Sequence, residues 1–376
     1  MTVMQRALLW SFVGSVAIAG NLGAQNWPVK WVKGKPLPPT HGRPILYLDM
    51  AHNGAWSVIH VVSRDGQEVG RVEDAYGASW SPRGDWFSFE GNDQSLRVAN
   101  LQGDIKTVLD PEKSSFDASV PPDWSPDGAE LACATEWISP NETRESLLVL
   151  STIDWRARQR FSIGDSTRQG SLRGLQWSPD GRWILISSDV LVAIDAKTGA
   201  TKRITNRRVN AFWGPRGDAV YYITVDTLHR PALYLQRMTG GMPQLLASSE
   251  RFRAAGLGDL QEMQWSSSHA KLAIWQVSDS TRPVLVFDLS ANPELSLDSP
   301  VKRIEPPGSV EDLRWAPDES AVVAVIGGPG YTFTVEVYDF DTGRWSTVTK
   351  VWAQGNRGAE EYMMIGFPGA LLSWSR

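Results

Sequence analysis

Short apolar runs recur along the chain between polar stretches rich in Gly, Pro and Ser. Trp86-Phe-Ser-Phe, Leu131-Ala-Cys, Trp183-Ile-Leu-Ile, Val220-Tyr-Tyr-Ile, Leu272-Ala-Ile-Trp and Val322-Val-Ala-Val-Ile are dominated by β-branched and aromatic residues, the composition of half-buried strands. Long segments with a 3.6-residue hydrophobic period are absent, so the pattern predicts an all-β chain. Each run follows a tryptophan-led turn: Trp80-Ser-Pro-Arg-Gly, Trp124-Ser-Pro-Asp-Gly, Trp177-Ser-Pro-Asp-Gly, Trp213-Gly-Pro-Arg-Gly, Trp265-Ser-Ser-Ser-His and Trp315-Ala-Pro-Asp-Glu. Pro fixes one φ angle and Gly supplies a positive one, so the segment reads as strand, tight turn, strand. The tryptophans lie 44, 53, 36, 52 and 50 residues apart. A period in that range is the length of one four-stranded propeller blade.

On these motifs the chain resembles the TolB-like propellers, whose WD40-like repeat is built around Trp-Ser-Pro-Asp-Gly followed by a strand. Two copies match in full, those at Trp124 and Trp177, and the resemblance spans roughly residues 45 to 374. It implies a β-propeller. The copy at Trp265 has lost both Pro and Gly and holds its place through its position in the series.

Blade number follows from a second marker, the hairpin between the two outer strands. Seven candidates occur: Asp65-Gly66, Gln102-Gly103, Thr198-Gly199, Thr239-Gly240-Gly241 and Thr342-Gly343, with two further turns near Asp154 and Ala291-Asn292. Seven blades are expected, six being the alternative. Residues 45 to 74 read as three strands of a blade that lacks its first strand, which the C-terminal segment supplies to close the ring. Tyr362-Met-Met-Ile-Gly-Phe, with Phe367 in the Trp place, resembles a degraded repeat. Ala370-Leu-Leu-Ser-Trp duplicates the role given to Ile45 to Leu48 and is left without a place.

The N-terminus carries one positive charge, Arg6, then an apolar stretch from Ala7 to Ala19 and small residues suited to cleavage after Ala19 or Ala24. Residues 1–24 therefore read as a secretory signal peptide. The stretch is short for a membrane span, which needs ~20 residues; an uncleaved anchor is the rival. Residues 25–44 form an extended arm with interspersed Lys and Pro, and residues 45–376 a single propeller domain. The formal charge of −5 includes Arg6, so removal of the leader leaves −6. That balance argues against nonspecific nucleic-acid binding. Cys133 is the one cysteine, so no intrachain disulfide forms and the thiol is expected to be a small buried apolar group.

Motifs for catalysis are thin. The nearest approach to a nucleophile elbow, Gly77-Ala-Ser79-Trp-Ser, lacks the last Gly and belongs to a blade strand. Five histidines, His41, His52, His60, His229 and His269, include no His-x-His pair. The Arg-Gly-Asp triplets at Arg83 and Arg216 fall in the turn slot of the repeat, and the sequon at Asn141 is expected to be unused.

In a blade whose strands are lettered a to d outward from the centre, the Trp turns (a–b) and the Gly hairpins (c–d) share one face of the disc, here the turn face. The longer b–c and d–a connections emerge on the other, the loop face, and repeat proteins gather their variable, binding segments on one face. Trp137, Arg144, Arg168, Arg253, Trp352 and Arg357 are the expected contacts there, since aromatics and Arg dominate binding centres. The sequence thus predicts an exported, monomeric, non-catalytic protein-binding scaffold of the periplasm or cell envelope, with no cofactor and no membrane span after cleavage. The alternative is a channel-centred enzyme or carbohydrate-binding protein of the lyase or lactonase type. The resemblance implies a propeller that binds an outer-membrane lipoprotein, as in the TolB family, but the stretch from Gln25 to Pro44, between the expected cleavage site and the first strand, is too short for that family's separate N-terminal α/β domain, so a role like that family's is not expected.

Overall fold

The computed structural model describes residues 29–36, 44–49, 57–110, 120–139, 142–162, 174–207, 209–225, 230–257, 261–266, 268, 270–276, 281–290, 300–328, 332–352 and 372–374. They form seven antiparallel sheets in a ring. Blade 1 is Ala75–Trp80, Phe87–Gly91, Leu96–Ala99 and Ile105–Leu109. Blade 2 is Asp123–Trp124, Glu130–Ser139, Glu142–Ser151 and Ala157–Ser162. Blade 3 is Gly174–Trp177, Trp183–Ser187, Leu191–Asp195 and Thr201–Thr205. Blade 4 is Asn210–Trp213, Ala219–Val225, Pro231–Arg237 and Gln244–Ala247, followed by the short helix α1, Ser249–Ala254. Blade 5 is Gln261–Trp265, Lys271–Gln276, Val284–Asp288 and Lys302–Ile304. Blade 6 is Ser309–Trp315, Ala321–Gly327, Thr332–Asp339 and Arg344–Trp352.

Blade 7 draws on both ends of the chain. Its strands a to d are Leu372–Trp374, Ile45–Asp49, Val58–Val62 and Glu68–Glu73. Lys30–Lys33, within the stretch read as an arm, adds a fifth strand on the outer edge of strand d. Here Gly70 and Gly103 leave room for the Trp31 indole, which a Cβ at either position would strike, and Trp31 packs into the core between blades 7 and 1.

The register explains the repeat. In every blade from 1 to 6 the motif Trp pairs with the residue seven positions later: Phe87, Leu131, Ile184, Val220, Leu272 and Val322. In blade 7 the same place is taken by Trp374 opposite Ile45, across the ends of the chain. The two segments therefore do not compete: Leu372–Trp374 holds strand a and Ile45–Asp49 strand b. Phe367, expected in the Trp place, lies outside the described residues.

Strand alternation divides each blade's apolar side chains between two neighbours. In blade 3, Ile184 and Ile186 pack toward blade 2 while Leu185 packs toward blade 4. The result is seven separate cores, one per interface, and no common centre. Tryptophan also ties the blades through hydrogen bonds: the indole Nε1 of Trp124, Trp213 and Trp315 donates to the carbonyls of Ser79, Gln176 and Gln264, each the residue before the previous blade's Trp, at 3.2, 3.1 and 3.0 Å. Strands a lie against each other in blades 2 and 3, 3 and 4, 5 and 6, 6 and 7, and 7 and 1. Cys133 is buried between blades 1 and 2, and burial pushes its thiol up to about 12, so it packs as an apolar group.

Candidate functional site

The turn face is a set of self-contained hydrogen-bonded hairpins. In blade 3 the Ser178 hydroxyl donates to Asp180 Oδ1 at 2.5 Å and accepts the Trp183 N–H at 2.8 Å, Asp180 accepts the Arg182 N–H, and Gly181 sits at φ 69°. Ser125 and Asp127 repeat the arrangement in blade 2. There the N–H of Ala129 and the hydroxyl of Ser125 hold the Asp127 carboxyl below its usual range. Both Arg-Gly-Asp triplets lie in this slot, with Gly84 and Gly217 at φ 70°, and Arg83 donates to the Asp127 carbonyl of the next blade's turn at 2.8 Å. Their groups serve the turns.

Blades 5 and 6 replace that scheme with one shared between them. Ser266 still caps the Lys271 N–H, but Ser268 stands in the Asp slot and accepts the Ala270 N–H. The Ser268 N–H donates at 2.9 Å to Glu319 Oε1 of blade 6, and Glu319 Oε2 lies 3.3 Å from Lys271 Nζ. Glu319 occupies the Gly slot of its own turn at φ 60°, a conformation that costs a non-Gly residue roughly 1 to 3 kcal/mol. Burial raises its pKa, yet the Ser268 hydroxyl and N–H outweigh that and hold it below the ordinary value. The degenerate copy at Trp265 is thus held by the departure from the repeat at Trp315.

The inner strands show a related asymmetry. Strands a of blades 1, 3, 4 and 7 contain no charged residue, and blade 2 contributes Asp123, whose carboxylate accepts the Trp177 N–H at 2.7 Å. Blades 5 and 6 contribute Glu262, Glu311, Asp312 and Arg314. Arg314 Nη1 lies 2.7 Å from Asp312 Oδ1 and 3.3 Å from Gln264 Oε1 across the seam. Motif reading missed this cluster, because it looked at the turns; the signal was the charge carried just before the two degenerate tryptophans.

On the loop face, the b–c connection expected to carry Trp137 and Arg144 is largely paired strand. Strands b and c of blade 2 are ten residues each and stay paired as far as Ser139 and Glu142. Among the described residues, strand d pairs as far as Ser146 and strand a as far as Ala132. The pairs Glu136 with Glu145, Trp137 with Arg144, Ile138 with Thr143 and Ser139 with Glu142 therefore form a two-stranded ribbon beyond the blade, about 13 Å long. Trp137 and Arg144, chosen separately from the sequence, are direct cross-strand partners. Trp352 ends strand d of blade 6, paired with Thr332, and Arg253 is exposed on α1 between blades 4 and 5. Strand direction puts all four positions on the loop face, spread around the ring and not gathered in one patch. Arg168 and Arg357 lie outside the described residues.

The channel alternative called for converging histidines. His60 is instead buried in strand c of blade 7, its Nδ1 2.8 Å from Glu68 Oε2 and its ring stacked on Tyr47 at 4.8 Å. The other four histidines lie outside the described residues. Among the described residues no three His, Cys, Asp or Glu side chains are grouped so as to hold a metal ion, and no helix is long and apolar enough to cross a membrane.

The ring and its repeat define a seven-bladed β-propeller. No protein-family model matches the chain, and no curated protein does. Among solved structures, it is similar to a functionally unknown protein from Desulfotomaculum acetoxidans DSM 771, at 13% identity and TM-score 0.56 over 88% of this chain and 99% of that one. It is similar also to an oligogalacturonate lyase solved with manganese, at 12% identity and TM-score 0.53 over 78% and 95%. TolB from Acinetobacter baumannii matches at 16% identity and TM-score 0.46 over 86% and 81%. At these identities the likeness is one of fold, and propellers host unrelated functions.

Proposed function

We propose that this propeller is an exported, non-catalytic protein-binding scaffold of the cell envelope that works through its loop face, as a monomer. The observation that carries the reading is the ribbon of blade 2. Its four outermost pairs extend past the described ends of strands a and d, and a two-stranded hairpin is marginal by itself. A projecting ribbon with Trp opposite Arg suits a partner surface, where these two residue types are enriched. Trp352 and Arg253 extend the same face, and Arg168 and Arg357 are proposed as further contacts. Export rests on the leader-like residues 1–24.

The test replaces Glu136–Glu145 by a tight turn and, separately, combines Trp137→Ala with Arg144→Glu. Affinity capture from the native envelope fraction should lose the same partner in both variants while circular dichroism and Tm stay at wild-type values. An unchanged partner set in both would reject the loop-face reading.

A further inference from the structure

The seven four-stranded blades are complete without Lys30–Lys33, which lies as a fifth strand on the outer edge of blade 7. Its residues pair with Gly70 to Glu73, and the run continues past them: the Gly34 and Lys35 N–H groups donate to the carbonyls of Val69 and Glu68 at 2.9 Å, and Gln67 Nε2 donates to the Pro36 carbonyl at 3.0 Å. The edge is shaped for this segment. Gly70 of blade 7 and Gly103 of blade 1 leave the Trp31 indole its place, 6.4 Å from the Phe87 ring, so one side chain spans the seam between the two blades, and Val29 packs on the same core. Charge sets this edge apart as well. The outer strands of blades 1 to 6 contain no Asp or Glu, and all but that of blade 4 carry Lys or Arg, a device that keeps an edge from pairing with a further strand. Strand d of blade 7 instead carries Glu68 and Glu73 on either side of Arg71, which lies 3.1 Å from each, and Lys30 of the added strand stands opposite Glu73.

We propose that the outer edge of blade 7 is a strand-addition site for an extended basic segment bearing one tryptophan, and that residues 29–36 are its resident occupant. Backbone pairing supplies the hold, as in other sites that recognise a peptide by adding it to a sheet edge, and a side-chain pocket supplies the choice. Here the pocket at Gly70 and Gly103 selects the aromatic ring, and Glu73 selects a cation opposite it, since an opposite-charge pair across strands is favourable and a like-charge pair is not. Its covalent connection holds the resident segment at a local concentration of ~mM, so the site is closed to other chains while that segment is in place. Displacing residues 29–36 opens it to a segment of the same chemistry from another chain. The site lies on the outer rim of the ring, apart from the loop face, and goes beyond the scaffold reading.

Fluorescence anisotropy with a labelled peptide of residues 29–36, Val-Lys-Trp-Val-Lys-Gly-Lys-Pro, tests the site on the full-length chain. It needs no envelope partner, so its failure and that of the scaffold reading are separable. The double variant Lys30→Glu with Trp31→Ala sets a like charge opposite Glu73 and empties the pocket, and it should bind the peptide about tenfold or more tightly than wild type does. Replacing the peptide's Trp by Ala should weaken that binding about tenfold or more, and so should adding Gly70→Val to the protein, whose new side chain fills the pocket. Binding no tighter than to wild type, or binding indifferent to either of these changes, would overturn the proposal. Should the double variant not fold, Trp31→Ala alone enters the same comparison. A chain that does not fold without that one side chain makes residues 29–36 part of the core and not an occupant, which also overturns the proposal.

Discussion

The two faces of the disc are built on opposite terms. On the turn face, blades 1, 2 and 3 repeat one hydrogen-bonding scheme: a Ser that caps the returning strand, its donation to an Asp, and a Gly at positive φ. Each such turn satisfies its own groups. On the loop face, the ribbon of blade 2 extends past the described ends of its own strands a and d. What holds the ring is thus repeated, and what distinguishes this chain from another propeller is not. Blades 5 and 6 sit between these extremes, since Glu319 of the blade 6 turn adds bonds to Ser268 and Lys271 of blade 5.

The contrast can be broken most severely at the tryptophans. Trp213→Ala removes a side chain that is 1% exposed and donates to Gln176 of blade 3, so a loss of ~3–5 kcal/mol is expected in denaturant unfolding. Next comes Glu319→Ala, which strips the Ser268 N–H and Lys271 of their acceptor at ~1–2 kcal/mol. Combining Glu319→Gly with Pro-Asp-Gly at positions 267–269 should recover that loss, because each turn would again be self-contained; a merely additive double variant would contradict the shared arrangement. Ser178→Ala should cost ~1 kcal/mol, the value of one capping bond, and leave partner capture intact. Smallest in stability is removal of the ribbon, expected within ~0.5 kcal/mol of wild type because its four outer pairs lie past the described ends of strands a and d.

The same division governs how much could be read from sequence. Trp80, Trp124 and Trp177 announce their blades because turn chemistry and strand pattern lie within one short window. Trp374 does not, since its partner Ile45 is at the other end of the chain and the pairing becomes visible only when the ring is closed. The ribbon was half legible: Trp137 and Arg144 stood out as residue types, but a segment rich in Glu, Ser and Thr with Pro140-Asn141 at its middle reads as a loop unless its register is known. Glu262, Asp312 and Arg314 were out of reach for a different reason. Their meaning depends on two strands about fifty residues apart meeting at the centre, and no local pattern encodes that.

Site-specific photocrosslinking compares the two faces most directly. A crosslinker placed at Trp137 in the ribbon, and in a second protein at Ile153, which is 90% exposed on the opposite end of the same blade, is activated in the native envelope fraction. A discrete protein adduct from position 137 and none from 153 is the predicted result. An adduct from 153 alone would move the working surface to the turn face and contradict the account.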